Sequence, residues 1–138
     1  MDNLQGEKRF PTRRYPPLPM MYGWSNLYRI MLTYEQAERF RPDGITVNCL
    51  CPGFVPVVRA GATPLQNWLI RIIPRFMPSA RTPEQAAETI VYLASSPAAA
   101  ALTGVYLQSG VQMRSSDQTY DPAIRRALWE RTEALLAG

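Results

Sequence analysis

The chain contains no histidine, and that absence sorts the chemistry open to it. Ser-His-Asp and Cys-His nucleophile systems need an imidazole to take the proton, so both are excluded. Proton transfer is left to tyrosine, lysine or a carboxylate. Tyr22, Ser25 and Asn26 stand within about one helical turn of one another. Ser25 has no base to activate it and is expected to accompany its helix rather than react. Cys49 and Cys51 flank Leu50. On a strand they point to one face, and so near in sequence they are poorly placed to bridge. With no other cysteine, no metal site is expected. Reduced thiols in a cytoplasmic setting are the simplest reading.

Those residues need a scaffold. At 138 residues the chain has room for one domain. A composition of 46% hydrophobic and 19% charged residues is that of a soluble globular protein. No apolar run is long enough to span a membrane. Met1-Asp2-Asn3-Leu4-Gln5-Gly6-Glu7-Lys8-Arg9 lacks the apolar core of a secretory signal. The net charge of +4 is partly gathered in Lys8, Arg9, Arg13 and Arg14. A basic cluster can hold phosphate or nucleic acid. No aromatic stacking platform accompanies this one, so a solvated segment is expected and nucleic acid is not expected as a partner.

Pro11, Pro16, Pro17 and Pro19 make residues 1–20 an irregular arm. From about 22 to 39, Leu27, Ile30, Met31, Tyr34 and Ala37 recur at three- and four-residue spacing, the mark of one helical face. Pro42-Asp43-Gly44 stops that helix, and the β-branched run 45–51 reads as a buried strand. Leu65, Trp68, Leu69, Ile72 and Ile73 predict a short helix closed by Pro74 and Pro78. It is expected to be packed, with a lid or a membrane-facing surface as the alternative. Thr82-Pro83-Glu84-Gln85 carries a capping box ahead of a helix burying Ala86, Ile90 and Leu93. Residues 102–108 predict a second strand, parallel to the first. Asp121-Pro122 caps a last helix with Ile124, Leu128 and Leu135 near one face.

Several stretches, in the right order, resemble the C-terminal half of a short-chain dehydrogenase/reductase of the retinol-dehydrogenase-like branch. Asp2-Asn3-Leu4-Gln5-Gly6-Glu7 resembles the segment ahead of the catalytic tyrosine, and Tyr22-Gly23-Trp24-Ser25-Asn26-Leu27 resembles Tyr-Gly-x-Ser-Lys-Leu. Gly44-Ile45-Thr46-Val47-Asn48 and Pro52-Gly53-Phe54-Val55 resemble the strand and the Pro-Gly loop behind the nicotinamide. Thr82 to Ala94, Gly104-Val105-Tyr106 and Ala127-Leu128-Trp129-Glu130 are similar to the following helix, the last strand and the closing helix. The resemblance implies an α/β, partial Rossmann-like fold holding the last two parallel strands with their helices, in residues 21–138. It implies Tyr22 as acid/base, with Asn26 in place of the family lysine. It also implies Pro52, Gly53 and Val55 as cofactor-binding residues, and NAD or NADP as cofactor.

The departures bear on activity. A free phenol ionises near pH 10, and the family lysine favours phenolate through its charge while hydrogen-bonding the nicotinamide ribose. Asn26 keeps the hydrogen bond and loses the charge. The family's threonine after Pro-Gly falls at Val57, which has no hydroxyl. No Gly-rich turn between a strand and a helix cradles a pyrophosphate, and no segment supplies the family's catalytic serine. The expectation is an NAD(P)-dependent alcohol/carbonyl oxidoreductase segment, inactive in this isolated chain and doubtful as a cofactor binder by itself. The alternatives are a catalytically silent interaction module and a truncated remnant. An exposed sheet edge and the Tyr22 helix would then recruit a second copy or a partner subunit.

Overall fold

Helix α1 (Leu18–Arg39) organises the molecule. The computed structural model describes residues 18–57, 61, 63–77 and 79–138. The arm and its basic cluster therefore lie outside the described residues, apart from 18–20, which are already helical. The first turn tolerates Pro19 because its backbone N–H groups have no intrahelical partner. At the other end a 3₁₀ turn (Arg41–Asp43) closes on Gly44, whose φ of 71° lets its N–H reach the Arg41 carbonyl at 3.1 Å.

The apolar spacing of α1 becomes a core only in its second half. Met31 is 2% exposed, and Tyr34 and Ala37 are also buried. They meet α4 (Pro122–Ala137) and the 3₁₀ turn Asp117–Tyr120. As the Asp-Pro pair predicts, the Asp121 carboxylate caps α4, accepting from the Ala123 and Ile124 N–H groups at 2.8 and 3.2 Å. Leu128 is 1% exposed and Ile124 half-buried, but Leu135 is exposed, since the last turn of α4 runs past the end of the core. Polar contacts seal this junction. Arg125 Nη2 reaches Glu38 Oε1 at 2.6 Å, Arg39 lies 4.8 Å over the Trp129 ring, and Tyr34 stacks on Tyr120 with centroids 5.2 Å apart.

Strands β1 (Cys49–Cys51) and β2 (Tyr106–Gln108) are parallel, with Cys49 opposite Tyr106 and Cys51 opposite Gln108. Both are shorter than the sequence predicts. Ahead of β1, side chains interrupt the ladder: Val47 N–H donates to Thr103 Oγ1 at 3.1 Å and Asn48 bridges the Leu102 carbonyl and the Val105 N–H, while Gly104 N–H still donates to the Val47 carbonyl at 2.8 Å. These side-chain bonds, made between segments more than fifty residues apart, hold the chain extended with only part of the strand pairing. A third strand, β3 (Val111–Met113), pairs antiparallel with β2 and was not foreseen. Its two-residue turn, Ser109-Gly110, has φ of 52° and 85°. A Ser-Gly pair between two short apolar runs is the cue that marks such a hairpin. The described residues thus form a mixed α/β structure of four α-helices and a three-stranded sheet in the order β1-β2-β3, which is a partial Rossmann-like fold.

Two helices lie between the parallel strands, as parallel pairing requires. In α3 (Pro83–Ser95) the capping box forms as expected: Gln85 N–H donates to Thr82 Oγ1 at 3.3 Å and Thr82 N–H to Gln85 Oε1 at 3.0 Å. Ala86 is buried and Leu93 half-buried, but Ile90 is exposed and Thr89 is buried in its stead. Helix α2 (Pro64–Phe76) corrects two expectations. It runs over Pro74 instead of stopping there, since proline near a helix end forfeits a single backbone bond. Its apolar stripe is also largely uncovered: Leu65, Trp68 and Leu69 face solvent, while Ile70 and Ile72 are half-buried.

Candidate active site

The first half of α1 and the end of β1 enclose a cavity of about 240 Å³ lined by Tyr22, Asn26, Arg29, Ile30, residues 49–52 and Tyr106. The helix supplies its wall by spacing alone, because residues 22, 26, 29 and 30 recur at intervals that keep them on one face. Tyr22 is 69% exposed and stands at the mouth. Asn26, one turn deeper, is half-buried. Ser25 turns away from chemistry, donating its hydroxyl to the Tyr22 carbonyl at 2.9 Å, a back-bond within the helix.

The opposite wall is the C-terminal end of β1. Pro52 lines the cavity; Gly53 and Val55 do not. Gly53 acts from behind. Its φ is 84°, and a Cβ there would come within 2.8 Å of Ser109 Oγ, so the loop lies tight against the β2–β3 turn. Phe54 then bridges to Ala80, with Arg81 N–H donating to the Phe54 carbonyl at 2.9 Å. The structure therefore brings Tyr22, Asn26 and Pro52 together and places Gly53 and Val55 in the supporting loop. Val57 is exposed and outside the cavity.

Arg29, Ile30, Cys49 and Tyr106 are lining residues that the sequence did not place in the site. Arg29 and Ile30 were legible from helical spacing with Tyr22, whereas Tyr106 needed the register of β1 against β2. Burial pushes the Cys49 thiol above its ordinary range, with a hydrogen bond to Thr33 acting the other way. Burial also raises the Tyr106 phenol, and the neighbouring cysteines add to the effect. A thiol held protonated is a poor nucleophile, so Cys49 gives this wall no ready nucleophile. Arg29 is the cation among the described lining residues.

No group of histidine, cysteine, aspartate or glutamate side chains among the described residues is arranged to hold a metal ion. No helix among them is long and apolar enough to cross a membrane.

Residues 12–110 match the family model described as enoyl-(acyl carrier protein) reductase. A polyprenol dehydrogenase of Danio rerio is 29% identical, the match covering 99% of this chain and 40% of the relative. Retinol dehydrogenase 14 of Homo sapiens is 31% identical over 83% of this chain and 34% of its own length. A probable oxidoreductase of Streptomyces antibioticus is 31% identical over 95% and 49%. The chain spans about a third to a half of the length of these curated relatives.

Proposed function

The chain belongs to the short-chain dehydrogenase/reductase family, and from that premise we propose that it carries the tyrosine-bearing half of an NAD(P)-dependent alcohol/carbonyl oxidoreductase, silent in turnover as these 138 residues alone. One observation supports both parts of this reading. Tyr22, Asn26 and Pro52 converge on a single cavity, and Asn26 brings an amide where the family brings an ammonium.

In this reading the Tyr22 hydroxyl exchanges a proton with the substrate oxygen. A bound nicotinamide supplies the hydride chemistry. The residues present fit one end of that cofactor. The cavity has room for a nicotinamide ring, the tight Gly53 loop braces the Pro52 wall, and the Asn26 amide can hydrogen-bond a ribose hydroxyl. Nothing in the sequence forms the Gly-rich turn that holds a pyrophosphate. Asn26 brings no charge beside the Tyr22 hydroxyl, and Arg29 lies about one turn farther along the helix. The apolar surface of Ile30, Leu50 and Pro52 suits an apolar alcohol, in keeping with the names polyprenol dehydrogenase and retinol dehydrogenase. The free thiols Cys49 and Cys51 suit a reducing, cytoplasmic setting.

Fluorescence titration of the purified chain with NADH and NADPH tests this reading. No saturable binding at micromolar cofactor is expected, and saturation there would overturn the silent assignment. Asn26→Lys should gain little turnover. A large gain would show that the lost charge was the limiting defect.

The open outer edge of β1 favours a second reading, a catalytically silent module. A backbone edge beside the exposed Tyr22 helix would pair with a second copy or a partner subunit. Sedimentation velocity that shows a monomer over a wide concentration range would discount self-pairing.

A further inference from the structure

We propose that a second cavity, at the clamped end of α1, binds a small oxyanion of the phosphate or carboxylate type. It has a volume of about 140 Å³ and lies where the C-terminal half of α1, the start of α4 and the Asp117–Tyr120 turn meet residues 103–104 ahead of β2. That is several times the space one water molecule needs. None of its lining residues lines the Tyr22 cavity, so its ligand is distinct from the substrate of that site.

The lining is rich in donors. Arg125 is 8% exposed, and its Nη2 pairs with Glu38 Oε1 at 2.6 Å. Its Nε–H is buried with no hydrogen-bond partner among the described residues. A buried donor left unpaired costs free energy that an entering oxygen would recover. Arg41 also lines the cavity and is exposed. Two guanidinium charges thus face one carboxylate, which leaves the cavity with an excess of positive charge.

Hydroxyl protons add to it. Thr119 Oγ1 donates to the Ser116 carbonyl at 2.6 Å, so the Ser115 hydroxyl must donate to Thr119 Oγ1 at 2.7 Å, and the Tyr34 hydroxyl to Ser115 Oγ at 2.8 Å. The Tyr34 oxygen is then left to accept, and the Tyr120 hydroxyl reaches it only at 3.4 Å. That is long for an O–H···O bond, so the Tyr120 proton can turn to a better acceptor. Thr103 Oγ1 accepts from the Val47 N–H at 3.1 Å, which leaves its own proton to donate. Arg41, Arg125, Tyr120 and Thr103, set against one carboxylate that is already paired, select an anion. The planar fork of arginine matches a pair of oxygens.

Titration of the full chain with sodium phosphate or sodium acetate at constant ionic strength tests the proposal, followed through the arginine Nε–H signals in proton–nitrogen NMR spectra. The Arg125 signal should shift and saturate in the millimolar range, and whichever probe binds more tightly identifies the oxyanion as phosphoryl or carboxylate. Arg41→Gln, at an exposed position, should keep the fold and weaken binding about tenfold. Glu38→Gln removes the competing carboxylate and should tighten binding about threefold. An Arg125 signal that neither probe moves, or equal affinity in the wild type and Arg41→Gln, would overturn the proposal. A shift spread over the exposed arginines without saturation would overturn it too, since it would mark diffuse attraction to a chain of charge +4.

Discussion

The two halves of α1 show how differently one helix is used. From Met31 to Ala37 it is clamped by α4 and the Asp117–Tyr120 turn, with buried side chains and a sealing layer of hydrogen bonds. From Tyr22 to Ile30 the same helix, with the same apolar spacing, lines an open cavity and leaves Tyr22 in solvent. Stability and candidate chemistry are thus separated by about two turns of a single element. The difference comes from what each half packs against, because helical periodicity continues unchanged through both.

The largest test of this contrast is Leu128→Ala at the clamped end. Removing a side chain that is 1% exposed should cost about 2–5 kcal/mol. Leu69→Ala on the exposed stripe should stay within about 0.5 kcal/mol. Urea unfolding of the two variants measures both, and similar losses would break the comparison.

Tyr34 sharpens it through pH. Burial raises its phenol to about 12, with the Tyr120 hydrogen bond adding and the Ser115 hydrogen bond, 2.8 Å long, opposing. The unfolded chain loses that proton near pH 10. The folded state holds it longer, so this contribution is complete below about pH 10 and is lost as pH rises through about 12. Tyr120, lowered chiefly by its hydrogen bond with Ser115 and next by that with Tyr34, works in the opposite sense. Stability should fall across that window, and Tyr34→Phe should flatten the fall in urea midpoints measured at successive pH values.

Smaller effects are expected at helix positions. Asp121→Ala removes the cap of α4 and should cost about 1 kcal/mol. At the open end, a Cβ added to Gly23 meets no atom within 4 Å. Gly23→Ala should therefore raise stability by about 0.5–1 kcal/mol. A thermal melt showing a loss at Gly23 would reveal packing on the site half of α1.

How much was legible depended on range. The caps of α3 and α4 were readable because a side chain bonds a backbone group three residues on, a relation contained in a tetrapeptide. The buried face of α1 was readable from periodicity, and Tyr22 and Asn26 from their spacing in a known motif. The β2–β3 hairpin carried a readable cue in Ser109-Gly110 that periodicity over three residues was too short to reinforce. The true lengths of β1 and β2 were not readable, because Asn48 and Thr103 take up backbone partners from a segment more than fifty residues away.

By itself, the sequence determined the family, the order of helices and parallel strands, the absence of histidine chemistry, and the amide at position 26. All follow from residue identity and local spacing. The tertiary structure alone decided that Tyr106 and Cys49 share the Tyr22 cavity, that Ile90 is exposed while Thr89 is buried, and that the apolar face of α2 is left uncovered. Burial is a relation between distant segments. A pattern along one helix can say which residues share a face, but only the assembled chain determines whether anything lies against it.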